Sequence, residues 1–346
     1  MTETAITRRR IVLDCDTGLD DTLTLIFLSG RPDVELVAVG TVHGNVSAVQ
    51  GALNSAAVLK TLGRTDVPVT VGARHPLAQP VQYSAKVHGS DGLGEIPIDR
   101  EVRVRTDISA AEQLVRLARQ HPGELEIIAT GPLTNIALAL MIEPELPNLI
   151  AGIAVMGGAV TVPGNNTPWA ESNIKHDPEA ASLVFSAGWR RCVLAGLDVT
   201  LTTWLRSADL AAIDALTTPA GRLAQQIIGK FSAYFSVTYG RQSCPIHDPT
   251  AAILLLHPEY GEYGRWSVQV ELAPGLTRGA TLADRRPFVA NKPAPPHPPI
   301  EVATRLDLDR LLECFVAGIR AAGTAPAQQG QQGQQGQQME KEVSGD

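Results

Sequence analysis

The segment Ile11-Val-Leu-Asp14-Cys-Asp16-Thr-Gly18-Leu-Asp20-Asp21 is an apolar strand that runs straight into four carboxylates grouped around a glycine. An acidic run is usually a solvated face, and four like charges this close repel one another. Here the acids follow a strand of buried type. In an open parallel sheet, ligands bind outside the carboxyl ends of the strands, where Gly18 would permit a tight turn. A hard cation would remove the repulsion. Oxygen-only ligands favour calcium or magnesium, and calcium tolerates irregular, high-number coordination. No Cys/His group with zinc spacing competes.

Working outward, short apolar runs recur at Leu36 to Val39, Val67 to Val71, Leu125 to Ala129, Ile153 to Met156 and Cys192 to Leu197, with helical patterns between them. Strands alternating with helices predict an α/β fold with an open, mostly parallel sheet flanked by helices and an active site at the strand C-terminal ends. Polar groups fall just past several runs, as Gly44-Asn45, Thr130-Gly131, Gly157-Gly158 and Asp198. Strand ends converging on one crevice form an active-site pattern.

Pro132 before Leu133 to Met141, and the pairs Asp177-Pro178 and Asp248-Pro249, read as helix starts with aspartate at the N-cap and proline at the first helical position. Capping accounts for Asp177 fully. For Asp248, capping and metal coordination stand level, and Ile246-His247-Asp248-Pro249 reads either as a proton donor beside a metal ligand or as a plain cap. A last amphipathic helix is expected over Leu306 to Ile319, and the globular part is expected to end near Ala322. Residues 1–322 are thus read as a single catalytic domain. The Gln-Gln-Gly triplets within 323–346 offer almost no apolar surface and are expected to be disordered.

The chain has 346 residues, 44% of them hydrophobic and 19% charged, enough to bury a large core. A net charge of -7, with no basic stripe after Arg8, Arg9 and Arg10, argues against a nucleic-acid partner and suits a small neutral substrate. No apolar run reaches the length of a membrane span. Cys15, Cys192, Cys244 and Cys314 are scattered and are read as reduced thiols, which makes the expected location cytoplasmic.

Together with Val42-His-Gly-Asn45, His88-Gly-Ser-Asp-Gly, Ala129-Thr-Gly-Pro-Leu-Thr-Asn135, Val155-Met-Gly-Gly158, Glu171-Ser-Asn173 and His247-Asp-Pro249, the opening segment resembles the inosine-uridine-preferring nucleoside hydrolase family. That family's signature is an apolar strand followed by Asp-x-Asp-Pro-Gly-x-Asp-Asp. The resemblance runs from about Arg10 to Ala321. It implies a Rossmann-like nucleoside hydrolase fold, Ca2+-dependent cleavage of ribonucleosides to free base and ribose in nucleoside salvage, and a homodimer or homotetramer. The implied metal ligands are Asp16, Asp21, Asp248 and the carbonyl of Thr130. Asp16 would also be the base for the attacking water, oriented by Asn45. Asp20 and Asn173 would grip the ribose 2′- and 3′-hydroxyls, Asn165 and Glu171 the 5′-hydroxyl, and Asp248 and Met156 would border the substrate. His247 would protonate the departing base, a step suited to an imidazole whose pKa lies near operating pH. His88 would line the base side.

Thr17 stands where the family has proline, which is expected to loosen the turn, and Ser172 replaces a usual aromatic. Tyr234 and Tyr239 match base-contacting tyrosines, but Arg241-Gln-Ser-Cys-Pro245 departs from the pattern and leaves purine versus pyrimidine open. His43 and His176 are read as structural. Two other classes compete. A Mg2+-dependent phosphatase of the haloacid dehalogenase type would use Asp14 as nucleophile, but it wants a cationic residue for the phosphoryl charge. A non-catalytic Ca2+-dependent nucleoside-binding protein would need neither His247 nor Asn45, and a purely structural calcium site would need no hydroxyl-binding partners from distant segments.

Overall fold

The computed structural model describes residues 8–286 and 294–322. Within them, the six apolar runs become β1 (Arg9–Cys15), β2 (Val34–Thr41), β3 (Val69–Val71), β4 (Leu125–Ala129), β5 (Ile150–Met156) and β6 (Cys192–Ala195). The later strands are β7 (Gly261–Trp266), β8 (Gln269–Val270), β9 (Thr281–Leu282) and β10 (Ile300–Leu306). The main sheet has the order β3-β2-β1-β4-β5-β6-β10-β7, while β8 and β9 pair as a separate antiparallel ribbon. All main-sheet pairs are parallel except β7 against β10.

Both faces of the sheet are covered, which is why β1 reads as a continuous apolar run rather than an alternating one. Successive side chains still point to opposite faces. Ile11, Leu13 and Cys15 enter a core with Leu23 and Ile253, whereas Val12 enters a second core with Leu114 and Ile127. Leu23 belongs to the helix Leu19–Ser29 and Ile253 to the helix His247–Leu256, so both helices lie on the same side of β1.

The strand order reverses between β1 and β4, and a crevice opens at such a switch point. Asp16 follows β1 directly and Thr130 follows β4, so both edges of the crevice carry oxygen atoms.

The helix starts after Pro132 and at Asp248 differ in detail from the sequence reading, whereas the start at Asp177 agrees with it. The helix after Pro132 spans Thr134–Ile142, with Leu133 rather than Pro132 at its entry. Asp177 caps the helix Pro178–Ser186, accepting from the Ala180 amide at 3.1 Å. Asp248 is not a cap, because Ile246 holds that position and Asp248 lies in the first turn, which leaves its carboxylate free for other partners. The last helix spans Leu308–Ala321, two residues later than expected at each end, since Leu306 still belongs to β10. The Gln/Gly tail lies outside the described residues. All four cysteines are buried and unpaired with one another. No described helix is long and apolar enough to cross a membrane.

Candidate active site

The floor of the crevice is a group of buried carboxylates. Asp16 accepts from the Asn45 backbone amide at 2.7 Å and from the Asn45 side chain at 3.0 Å. Asp21 accepts from the Gly18 amide at 2.8 Å and from the Thr130 hydroxyl at 2.7 Å. Asp20, Asp21 and Asp248 each place a carboxylate oxygen within 4.8 Å of the other two, a tighter trio than one containing Asp16. Both oxygens of Asp16 are engaged by Asn45, whose side chain also donates to Asp21 at 3.3 Å. The Thr130 carbonyl faces the same region and accepts from the Asn173 side chain at 2.8 Å.

Gly18 does not serve as a left-handed turn: its φ is −98°, ordinary extended backbone at a helix entry. Its small size is what counts, because a Cβ there would run into the imidazole of His88 and the amide of Asn45. Gly18→Ala is therefore expected to lower kcat/KM by about 100-fold, the scale of a small misplacement of positioned groups. Steady-state kinetics on a folded variant checks it, and unchanged turnover would show that these contacts are dispensable. Thr17, expected to loosen this turn, is instead buried and its hydroxyl lies 2.6 Å from that of Ser55.

No Lys or Arg pairs with the floor carboxylates among the described residues. The nearest basic group is His88, whose Nδ1 is 3.9 Å from Asp20 and accepts from the Leu19 amide at 3.1 Å. Burial holds the carboxyls of Asp20 and Asp21 up at about 6, and raises Asp16 and Asp248 well above the usual range, with neighbouring aspartates adding to the rise. Burial pushes His88 down to about 4, so it supplies no compensating charge at neutral pH. Asp20 also keeps one buried oxygen without a hydrogen-bond donor. Four desolvated carboxylates, one of them with an oxygen lacking a donor, and the Thr130 carbonyl, whose second lone pair remains, form a donor set that fits a hard divalent cation.

Above the floor lies a cleft of about 840 Å3, counting its open mouth. It is lined by Asp20, Asn45, His88, Thr130, Met156, Asn165, Glu171, Asn173, His247 and Asp248, while Asp16 and Asp21 lie beneath, almost fully buried. Glu171 caps the helix Ser172–His176, accepting from the amides of Asn173, Ile174 and Gly158 at 2.9, 3.1 and 2.9 Å. Burial raises its pKa, and these amides oppose the rise. Asn165 accepts from the Ser172 amide at 3.0 Å. Asn173 also donates to the Met156 carbonyl at 3.1 Å.

One wall is aromatic. Phe231, Tyr234, Phe235 and Tyr239 reach the cleft from the helix Pro219–Tyr239. Phe231 lies tilted against His88 at 6.0 Å between ring centres, and Phe235 likewise against His247 at 6.4 Å. Sequence reading singled out the two tyrosines but not Phe231 and Phe235. Their i, i+4 spacing was visible and indistinguishable from a core stripe. Burial, with His88 nearby, holds His247 down at about 4 rather than near operating pH, so the ring is neutral at pH 7.

Several residues fall outside the cleft. His43 bonds Thr134 and His176 bonds the Ser172 carbonyl, both as structural groups. Asp198, expected among the converging strand ends, instead accepts from the Val160 and Thr161 amides and holds that loop. Asp14 is buried and accepts from Asn135 at 2.8 Å, away from the cleft, and no Lys or Arg lines the cleft. An attacking aspartate and a phosphoryl clamp are thus both missing among the described residues, which removes the phosphatase reading.

A carboxylate floor under amide donors faces an aromatic wall at the switch point of a doubly wound sheet, an arrangement suited to a small polar substrate carrying a planar group. The sequence model for inosine-uridine preferring nucleoside hydrolases matches residues 11–313. The pyrimidine-specific ribonucleoside hydrolase RihA of Enterobacter sp. (strain 638) is 37% identical over 285 residues, covering 82% of this chain and 90% of that protein. The inosine-uridine preferring nucleoside hydrolase of Crithidia fasciculata is 32% identical over 304 residues, with 87% and 94% covered. The solved purine-preferring ribonucleoside hydrolase from Gardnerella vaginalis superposes with a TM-score of 0.84 at 32% identity, covering 92% of this chain and all of that one. The chain belongs to the inosine-uridine preferring nucleoside hydrolase family and is a hydrolase of N-glycosyl bonds.

Proposed function

We propose that this protein is a Ca2+-dependent ribonucleoside hydrolase that releases free base and ribose in nucleoside salvage, acting as a cytoplasmic homodimer or homotetramer whose catalytic domain is residues 1–322. The observation that carries the reading is the uncompensated carboxylate floor directly beneath a cleft lined by Asn165, Glu171, Asn173 and His247. A calcium ion held by Asp16, Asp21, Asp248 and the Thr130 carbonyl would neutralise the floor and lower the pKa of the attacking water. Asp16 takes that water's proton, and Asn45, bonded to both its oxygens, fixes the carboxylate's orientation. Asp20 and Asn173 hold the 2′- and 3′-hydroxyls. Asn165 and Glu171 hold the 5′-hydroxyl and, with the floor, favour the positive charge that develops on the sugar in glycoside cleavage. Met156 and Asp248 border the ribose. His88 and the aromatic wall embrace the base, and His247 meets it as a neutral N–H donor. The cytoplasmic location is supported by four free thiols, and the oligomer by family resemblance.

The test is release of free base and ribose from inosine, uridine, cytidine and adenosine by the purified protein, with and without a calcium chelator. Chelator-sensitive release restored by Ca2+ is expected, and the fastest substrate gives the base preference. Release indifferent to chelator, or restored equally well by any divalent ion, would remove the calcium assignment; absence of release from all four would remove the activity.

A further inference from the structure

Behind His247, on the side away from the cleft, lies Thr200, a fully buried residue at the end of the helical turn Leu197–Thr200 that follows β6. Its hydroxyl is 2.8 Å from His247 Nδ1. The two segments are held in register beyond this contact: the Ile246 amide donates to both the hydroxyl and the carbonyl of Thr203, at 3.2 Å each, and the Leu205 amide donates to the Cys244 carbonyl at 3.1 Å. Phe235 lies on another side of the imidazole. Among the described residues the Thr200 hydroxyl has no other hydrogen-bond acceptor, so the arrangement that satisfies both groups has its O–H donating to Nδ1. A ring nitrogen that accepts carries no proton, and the single proton of a neutral imidazole then sits on Nε2. Nε2 is the nitrogen left for the cleft that His247 lines.

We infer that Thr200 is a positioning residue that fixes the tautomer and ring plane of His247, so that Nε2–H is presented to the departing base. This rests on the proposed role of His247 as donor to that base. Thr200 touches no substrate and acts only through the imidazole.

The experiment compares wild type, Thr200→Val, Thr200→Ser and His247→Ala on uridine, inosine and 4-nitrophenyl β-D-ribofuranoside, whose phenolate leaves without protonation. Thr200→Val is nearly isosteric and is expected to lower kcat on the two nucleosides by about 10- to 100-fold, the scale of a lost buried hydrogen bond that leaves the wrong tautomer available. It should leave KM and turnover of the nitrophenyl riboside within about 3-fold, while Thr200→Ser, which keeps the hydroxyl, should restore nucleoside turnover. Unchanged nucleoside turnover in Thr200→Val, or an equal loss on all three substrates, would overturn the proposal while His247→Ala still discriminates between substrates. If His247→Ala itself loses nucleosides and nitrophenyl riboside alike, the donor role of His247 fails and the Thr200 proposal falls with it.

Discussion

Asp16→Ala is expected to lower kcat/KM for every nucleoside substrate by about 10000-fold or more, because on the proposed reading it deletes a general base and a metal ligand in one step. Asp16 is the carboxylate that receives both donors of Asn45. Its loss leaves the Asn45 backbone N–H without its acceptor and the side-chain NH2 with only the longer contact to Asp21 at 3.3 Å, so Asn45 is expected to shift as well. Asp16→Asn separates the contributions, since it keeps the shape and one oxygen while removing basicity, and it is expected to lie within about tenfold of the alanine variant if proton abstraction dominates. Steady-state rates at saturating Ca2+ decide it. Turnover near wild type in Asp16→Ala would refute the assignment of the base.

Removing the cation is expected to destabilise the protein in a pH-dependent way. With Asp20 and Asp21 held up at about 6 by burial, the metal-free folded chain binds protons more tightly than the unfolded chain. That contribution to stability is fully present below about pH 4 and is lost as pH rises through about 6. Cation and protons compete for the same oxygens. Saturation with Ca2+ at about 100 times its Kd adds roughly 2.7 kcal/mol, or about 4 °C in Tm for a domain of this size, near pH 7.5. The increment should shrink markedly at pH 5. Thermal unfolding with chelator and with Ca2+ at pH 5, 6 and 7.5 checks this, and an increment independent of pH would show that the floor does not hold the ion.

The parallel half of the sheet was legible because strands buried on both faces are unbroken apolar runs, as in Leu125–Ala129, read to the residue. The other edge was not. β7 is the edge strand Gly-Glu-Tyr-Gly-Arg-Trp, half exposed, with no run to see, and β10 follows a proline-rich stretch that reads as irregular. The aspartates were legible because their local charge density is anomalous, but their division of labour was not. Asp14 looks like its neighbours in sequence and differs only in pointing to Asn135. Asp248 looked like a cap because proline follows it, and only the register of the helix shows Ile246 in that place. The neutral state of His247 follows from burial by segments far away in the chain, which no local pattern reports.

The floor and the wall of the cleft come from different parts of the architecture, one from the segment after β1 and the starts of the helices Leu19–Ser29 and His247–Leu256, the other from the helix Pro219–Tyr239. Substitutions in the two sets should act independently, with free-energy effects that add. On the proposed reading, changes at Phe231, Tyr234 or Tyr239 would retune which base is accepted while the carboxylate floor stays constant. His88 is where additivity should fail: it belongs to the wall by position yet is tied to the floor through the Leu19 amide. Double-mutant cycles across that bond would measure how tightly substrate choice is linked to chemistry.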